Sequence, residues 1–257
     1  MNVASPPAAR ARYSEEEWQI RCGLAAMYRL VAHRRWTDFI YTHSSARVPG
    51  PEHHFLINNY GVHFHDMRAS DLVRIDCDGN VVEDAPETKT VNAAGFCIHS
   101  AVHMAREDAA VVIHTHTEAG IAVSAQRQGL LPISQHALKF YGRLAYHDYE
   151  GIALDLGERE RLVRDLGPHN ALILRNHGLL VAGKSIPEAF LNIYMLERAC
   201  AAQVQALAGG AELVLPPEQV RLHTSEQFKR GENEAHHAMV WNSALKLIEG
   251  QGPDWRQ

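Results

Sequence analysis

Val111-Val112-Ile113-His114-Thr115-His116 is the stretch that decides how this chain folds and where its chemistry sits. The apolar, β-branched run over residues 109–117 predicts a buried strand. Side chains alternate faces along a strand, so His114 and His116 project from the same face, at a spacing that two ligands of one metal can use. An imidazole at the end of a buried apolar strand needs partners for its ring nitrogens. A packed, hydrogen-bonded core histidine would meet that need as well as a metal ligand would. If the strand continues, Glu118 shares the face and offers a carboxylate.

Further along, two apolar runs, 171–175 and 179–181, are joined by Asn176-His177-Gly178. Gly178 is expected to let the backbone turn sharply and to bring His177 near the neighbouring strands. Three imidazoles from two strand ends make a ligand set with open positions, the pattern of catalytic rather than structural zinc. A plain turn would explain Asn-His-Gly equally well, and spacing alone leaves both readings standing.

The rest of the chain frames these segments. Ser14 with Glu17 is a capping box opening a helix to about residue 35. Strand-like runs follow at 39–48, 54–58 and 72–76, with a hairpin signal at Asp78-Gly79. Helices are predicted over 92–106, 119–128 and 157–166, with a short strand at 144–149. Ser185-Ile186-Pro187-Glu188 opens another helix to about residue 207. Strands and helices are mixed without regular alternation, which predicts a central, mainly antiparallel sheet with helices on its faces. The expected organisation is a loose N-terminal arm at 1–13, one α/β domain at 14–210, and a linker and helix at 211–257. That last helix, over about 225–249, would pack on the domain or on a neighbouring subunit.

Composition narrows the class. The chain has 257 residues, 46% hydrophobic and 21% charged, ordinary values for a globular protein. A net charge of −5 without blocks of like charge argues against nucleic acid or an anionic membrane as partner. No run is long and apolar enough to span a bilayer, and the N-terminus has no apolar secretory core. Cys22, Cys77, Cys97 and Cys200 show no paired spacing, so a reducing, cytoplasmic setting is expected. Histidine is abundant, with 17 residues, and it is the commonest metal ligand and neutral-pH acid/base group.

Residues 92–207 resemble the class II aldolase/adducin family. The resemblance is carried by Val111 to His116, by Gly129-Leu130-Leu131-Pro132-Ile133-Ser134, by Ala145-Tyr146-His147-Asp148-Tyr149, and by Leu172-Ile173-Leu174-Arg175-Asn176-His177-Gly178-Leu179. The last three runs look particularly like the adducin head domain and its bacterial relatives. Weaker similarity reaches back to Trp18. The resemblance implies a three-layer class II aldolase-like α/β fold. It also implies a divalent metal on His114, His116 and His177. Zn²⁺ fits first, but three imidazoles do not choose between it and Mn²⁺ or Fe²⁺. A homotetramer and a small-molecule substrate are implied as well.

The chain also departs from the family's aldolases. Counting back from His99, the glutamate that ligates metal and abstracts a proton is replaced by Gly95, which can do neither. The phosphate cradle is reduced to His43-Ser44-Ser45, Asn58-Asn59-Tyr60-Gly61 and Ala93-Ala94, with few hydroxyl donors. His136 falls where aldolases carry a proton-donating tyrosine from a neighbouring subunit, and a surface histidine on a loop would account for it too. His147 with Asp148 is a second acid/base candidate that adducins share. His99 and His103 stack at i and i+4, and His99 is read as a packed, hydrogen-bonded residue. The leading functional expectation is a metal-dependent lyase that cleaves a C–C bond next to a carbonyl. It would do so by aldol cleavage or by decarboxylation of a small keto, hydroxy or aromatic acid. A non-catalytic, adducin-like oligomeric module is the alternative. A sugar-phosphate epimerase ranks third.

Overall fold

The computed structural model describes residues 10–83, 89–152 and 157–257. Its elements run in the order α1 (Glu15–His33), β1 (His43–Arg47), β2 (Phe55–Ile57), β3 (Val73–Ile75), α2 (Ala93–Ala105), β4 (Val111–Thr115), α3 (Glu118–Ser124), α4 (Gln135–Leu138), β5 (Leu144–His147), α5 (Glu158–Leu166), β6 (Ala171–Leu174), β7 (Gly178–Gly183), α6 (Ile186–Leu207), α7 (Glu218–Gly231) and α8 (Glu234–Leu245). The strands form one seven-stranded sheet in the order β3-β2-β1-β4-β7-β6-β5. Every neighbouring pair is antiparallel except β5 with β6.

Alternation along the strands produces three layers. On one face Val111, Ile113, Ile173, Leu179 and Val181 pack with residues of α1, α6 and α8. On the other face Val112, Leu172, Leu174, Leu180 and Ala182 pack with Ile98 and Val102 of α2 and with Leu162 and Leu166 of α5. β4 therefore lies mid-sheet with both faces covered, and an imidazole there is enclosed whichever way it points. No helix among the described residues is long and apolar enough to cross a membrane.

Several local expectations change. Residues 1–9 of the expected arm lie outside the described residues. Arg10 to Tyr13 are held in place: Tyr13 stacks on Trp18 at 5.9 Å, and the Arg21 guanidinium sits 3.8 Å from its ring. Ser14 caps α1 by accepting from Glu17 N at 3.1 Å. Glu17 itself turns inward to Arg21 and Arg74, so its carboxylate serves a buried ion-pair cluster. The C-terminal segment contains two helices, broken at Glu232-Asn233, where Asn233 caps α8 by accepting from His236 N at 3.0 Å. α8 belongs to the main core: Trp241 meets Phe190 of α6 edge-on at 5.5 Å. α4 is a short helix that apolar periodicity does not reveal, because it has one turn only.

Candidate metal centre

His114 is in β4, His116 is one residue past its end, and His177 sits in the turn between β6 and β7. β4 and β7 are hydrogen-bonded neighbours, with Thr115 opposite Leu179, so this turn lies against the end of β4. Asn176 takes a positive φ of 55°, which Asn tolerates better than most residues. The sharp backbone was expected at Gly178, but the left-handed residue is Asn176. Gly178 is needed for another reason: a Cβ there would stand 2.3 Å from the Thr115 carbonyl oxygen.

The three rings converge. Their ligand nitrogens all lie within 4.8 Å of one another. His114 Nε2 and His116 Nε2 are 2.7 Å apart, and His116 Nε2 and His177 Nε2 are 2.9 Å apart. Their far nitrogens decide which atoms are bare. His114 Nδ1–H donates to the Leu179 carbonyl at 2.9 Å, and His116 Nδ1–H donates to Asp38 Oδ2 at 3.0 Å. A neutral imidazole carries one proton, so both Nε2 atoms present lone pairs. Two lone pairs facing each other at this separation repel unless a cation lies between them. The donor set therefore fits a divalent metal with imidazole ligands, and Asp38 and the Leu179 carbonyl orient two of those rings.

The electrostatics suit ligation. Burial, then the neighbouring imidazoles, hold His114 well below the ordinary histidine range. Burial and His116 lower His177 to about 4. His114 and His177 are therefore neutral near pH 7, the form that binds metal.

Thr115 points to the opposite face, where Glu197 of α6 accepts from its hydroxyl at 2.5 Å and from that of Thr117 at 2.6 Å. Glu197 is 3% exposed. Burial raises its carboxyl to about 7, against the pull of the two hydroxyls. Thr117 also caps α3 by accepting from Gly120 N at 3.0 Å. Glu197 thus ties α6 to the segment carrying His114 and His116. Neither Glu197 nor Asp38 stands near the histidines in sequence, and no spacing rule points to either.

These features occur in a known setting. Residues 22–204 match the family described as Class II Aldolase and Adducin N-terminal domain. The chain belongs to the class II aldolase and adducin family. An aldolase II superfamily protein from Pseudomonas syringae, solved by crystallography, is 53% identical, with a TM-score of 0.91 over 96% of this chain and 99% of that one. Alpha-adducin of Rattus norvegicus is 46% identical over 197 residues, 76% of this chain and 27% of the adducin. An L-fuculose 1-phosphate aldolase from Glaciozyma antarctica is 28% identical, with a TM-score of 0.82 over 98% of this chain and 96% of that one.

Other residues singled out from the sequence of this class II aldolase family member lie elsewhere. The strand stops at Thr115 and Thr117 caps α3, so Glu118 opens that helix as an exposed residue and does not continue the His114 face. His136 is on α4, where burial and Arg198 of α6 lower it. His147 closes β5 and turns toward α5, where Nδ1 meets Asp165 at 2.8 Å and Nε2 lies 3.4 Å from Glu158. The carboxylate hydrogen-bonded to it is thus Asp165, and not the neighbouring Asp148.

Gly95 packs against another histidine. A Cβ at Gly95 would stand 2.6 Å from Cδ2 of His43 and 2.9 Å from both Cγ and Nε2. His43 lies opposite His114 in the β1–β4 ladder, with ring centroids 5.1 Å apart. Its Nδ1 is 2.8 Å from His99 Nε2. His99 Nδ1 is 2.5 Å from Ser45 Oγ, which is 2.7 Å from His103 Nε2. His103 Nδ1 meets the Ala109 carbonyl at 2.9 Å. Burial is the first cause lowering all three rings, with His43 and His103 each at about 3. Thus His99 and His103 are packed, hydrogen-bonded residues of the core.

Proposed function

We propose that this chain is a metal-dependent lyase that breaks a C–C bond next to a carbonyl in a small keto, hydroxy or aromatic acid. The observation that carries this reading is the meeting of three Nε2 atoms, two of them made bare by the bonds of their far nitrogens. His114, His116 and His177 would hold the cation, with Zn²⁺ first and Mn²⁺ or Fe²⁺ compatible with the same donors. Bound there, a divalent metal supplies a Lewis acid for the carbonyl oxygen on which charge develops as the bond breaks.

Residues of the chain bear on the rest of the chemistry. Gly95 offers no carboxylate to abstract a proton, which favours decarboxylation, since departing CO₂ leaves its electrons behind without a base at carbon. The Ser45 hydroxyl is engaged by His99 and His103, so it is not available to a substrate phosphate. That favours an acid over a sugar phosphate, although one relative is named as an L-fuculose 1-phosphate aldolase. The name supports C–C cleavage and leaves the substrate of this chain open to test. His136 would act at the site of a neighbouring subunit within a homotetramer. The expected setting is the cytoplasm.

A non-catalytic oligomeric module is the second reading, favoured by the similarity to alpha-adducin together with Gly95. The test is metal analysis of protein purified without chelators, followed by CO₂ and aldehyde assays on a panel of keto, hydroxy and aromatic acids. One metal per chain and chelator-sensitive product release are expected. Metal-free protein that folds regardless of chelators and releases neither product would leave the module as the reading.

A further inference from the structure

The chain of contacts from Ala109 to His43 runs in one direction only, and this fixes which His43 nitrogen carries the proton. A carbonyl can only accept, so His103 Nδ1 carries its proton. The neutral His103 then has a bare Nε2, which takes the Ser45 hydroxyl proton. Ser45 Oγ, having donated, accepts from His99 Nδ1–H. His99 Nε2 is consequently bare and accepts from His43 Nδ1–H. Each ring is left with a single possible tautomer, and the series ends on His43 Nε2, which carries a lone pair. Among the described residues, no carboxylate is hydrogen-bonded within the series to supply a second proton's counter-charge. His43, Ser45, His99 and His103 are each 3% exposed or less, so water does not compete for these bonds.

The position of this lone pair is also built. His43 faces His114 across the ladder, on the side of the sheet toward which both rings point. Gly95, in the first turn of α2, covers the ring so closely that any Cβ would collide with it. The ring is thus clamped between His99, the β1–β4 ladder and a glycine, without freedom to flip and offer a donor.

We propose that His43 is a substrate-positioning residue: its Nε2 accepts a hydrogen bond from a hydroxyl of the ligand held at the three-histidine centre, which selects hydroxylated acids over acids lacking that group. This deepens the lyase reading and rests on its assumption that the three imidazoles hold a ligand-binding metal. A bare nitrogen rewards an O–H and repels a carboxylate or ketone oxygen at the same place. Of the substrate classes considered for this centre, the hydroxy acids are therefore favoured.

The experiment uses the full chain loaded with zinc. ¹⁵N-labelled histidine and two-bond ¹H–¹⁵N correlation spectra report which nitrogen of each ring is protonated. His43, His99 and His103 are all expected to carry the proton on Nδ1, the less common form of free imidazole. Calorimetric titration with glycolate and with acetate then gives an affinity ratio that isolates the hydroxyl. His43→Phe is expected to cut that ratio by up to about tenfold, the worth of one hydrogen bond, with zinc content unchanged. Ser45→Ala, which interrupts the series away from the ligand, is expected to lower the ratio partway and to let His43 populate both tautomers. A proton on His43 Nε2 in the unmodified protein overturns the proposal. So does an unchanged glycolate-to-acetate ratio in zinc-loaded His43→Phe, an outcome that leaves the metal centre itself intact. Protein that takes up none of zinc, manganese or ferrous iron overturns both this proposal and the lyase reading.

Discussion

Asp38 bonds the His116 ring and Glu197 bonds Thr115 and Thr117 on either side of it in sequence, and each has a distinct expected effect on removal. Asp38 fixes the His116 ring from a loop 78 residues away in sequence. Asp38→Ala is expected to weaken metal binding by about 10- to 100-fold, as outer-shell partners of ligating histidines do. Competition with a chelator measures this, and an unchanged affinity would remove Asp38 from the centre. Glu197 acts through pH. Its carboxyl is raised from an ordinary 4.5 to about 7 by burial. The unfolded chain loses this proton above about 4.5, whereas the folded protein keeps it until about 7. The native state therefore binds more protons in that window, and stability contributed by Glu197 falls as pH rises through it, by on the order of 3 kcal/mol. Glu197→Gln should flatten that component. Urea denaturation at pH 5 and pH 7.5, compared between the two proteins, shows it directly. The change in stability from pH 5 to pH 7.5 should be more favourable in the variant than in the parent, and parallel behaviour would mean the carboxyl is ionised throughout.

At the scale of elements, the C-terminal segment is part of the fold's main packing. Trp241 and Trp255 lie in the same apolar cluster as α1 and α6. The Trp255 and Gln257 carbonyls accept from Ala69 N at 2.8 Å and Ser70 N at 3.0 Å. Removing residues 251–257 takes away a buried indole and both of these bonds. The expected loss is about 3–5 kcal/mol, the range for truncating a buried tryptophan, read as a lower thermal midpoint. An unchanged midpoint would show that the segment only rests on the surface. Most of the sheet was legible in the sequence because β2, β4, β6 and β7 are largely apolar runs bounded by turn residues, a pattern that the polar β1 carries far less. The mainly antiparallel arrangement followed from irregular strand and helix order. The break between α7 and α8 is marked only by Gly231 at the end of α7 and by the capping Asn233, set among polar residues that sustain helical propensity on both sides. The candidate site was legible where sequence neighbours share a strand or turn, as His114, His116 and His177 do. Asp38, Glu197 and the role of Ser45 required the fold, since long-range pairing alone brings Asp38 to His116, Glu197 to Thr115 and Thr117, and Ser45 to His99 and His103. Glu118 was misplaced because the strand ends earlier than its apolar pattern suggests. There Thr117 takes the capping position of α3.

Across the whole molecule, burying neutral histidines sets a limit on acid tolerance. His43 and His103 titrate at about 3 when folded, against an ordinary 6.5. Below 6.5 the unfolded chain binds protons that the folded one refuses, so the stability from these rings is present above 6.5 and lost as pH falls toward 3. This is opposite in sign to the Glu197 effect and involves more groups. Net stability should therefore fall on acidification, with unfolding taking up roughly two protons near pH 5 from these two rings. The slope of unfolding free energy against pH checks this. A flat or rising profile on acidification would mean that the rings are charged in the native protein.

The short reach between the Asn176 turn and the end of β4 has a consequence for local breathing. A cation shared by His116 and His177 would cross-link positions 61 residues apart, and through Asp38 it would reach the loop after α1. Such a tie restrains local opening without adding to the packed layers. Chelation is then expected to speed amide exchange by tenfold or more around Asp38 and His177, by removing about 1.4 kcal/mol or more of local restraint. Exchange in α1 and α6 should stay slow. Uniform acceleration throughout would mean that the ion holds up the entire fold, and no acceleration would mean that the two segments stay closed without it.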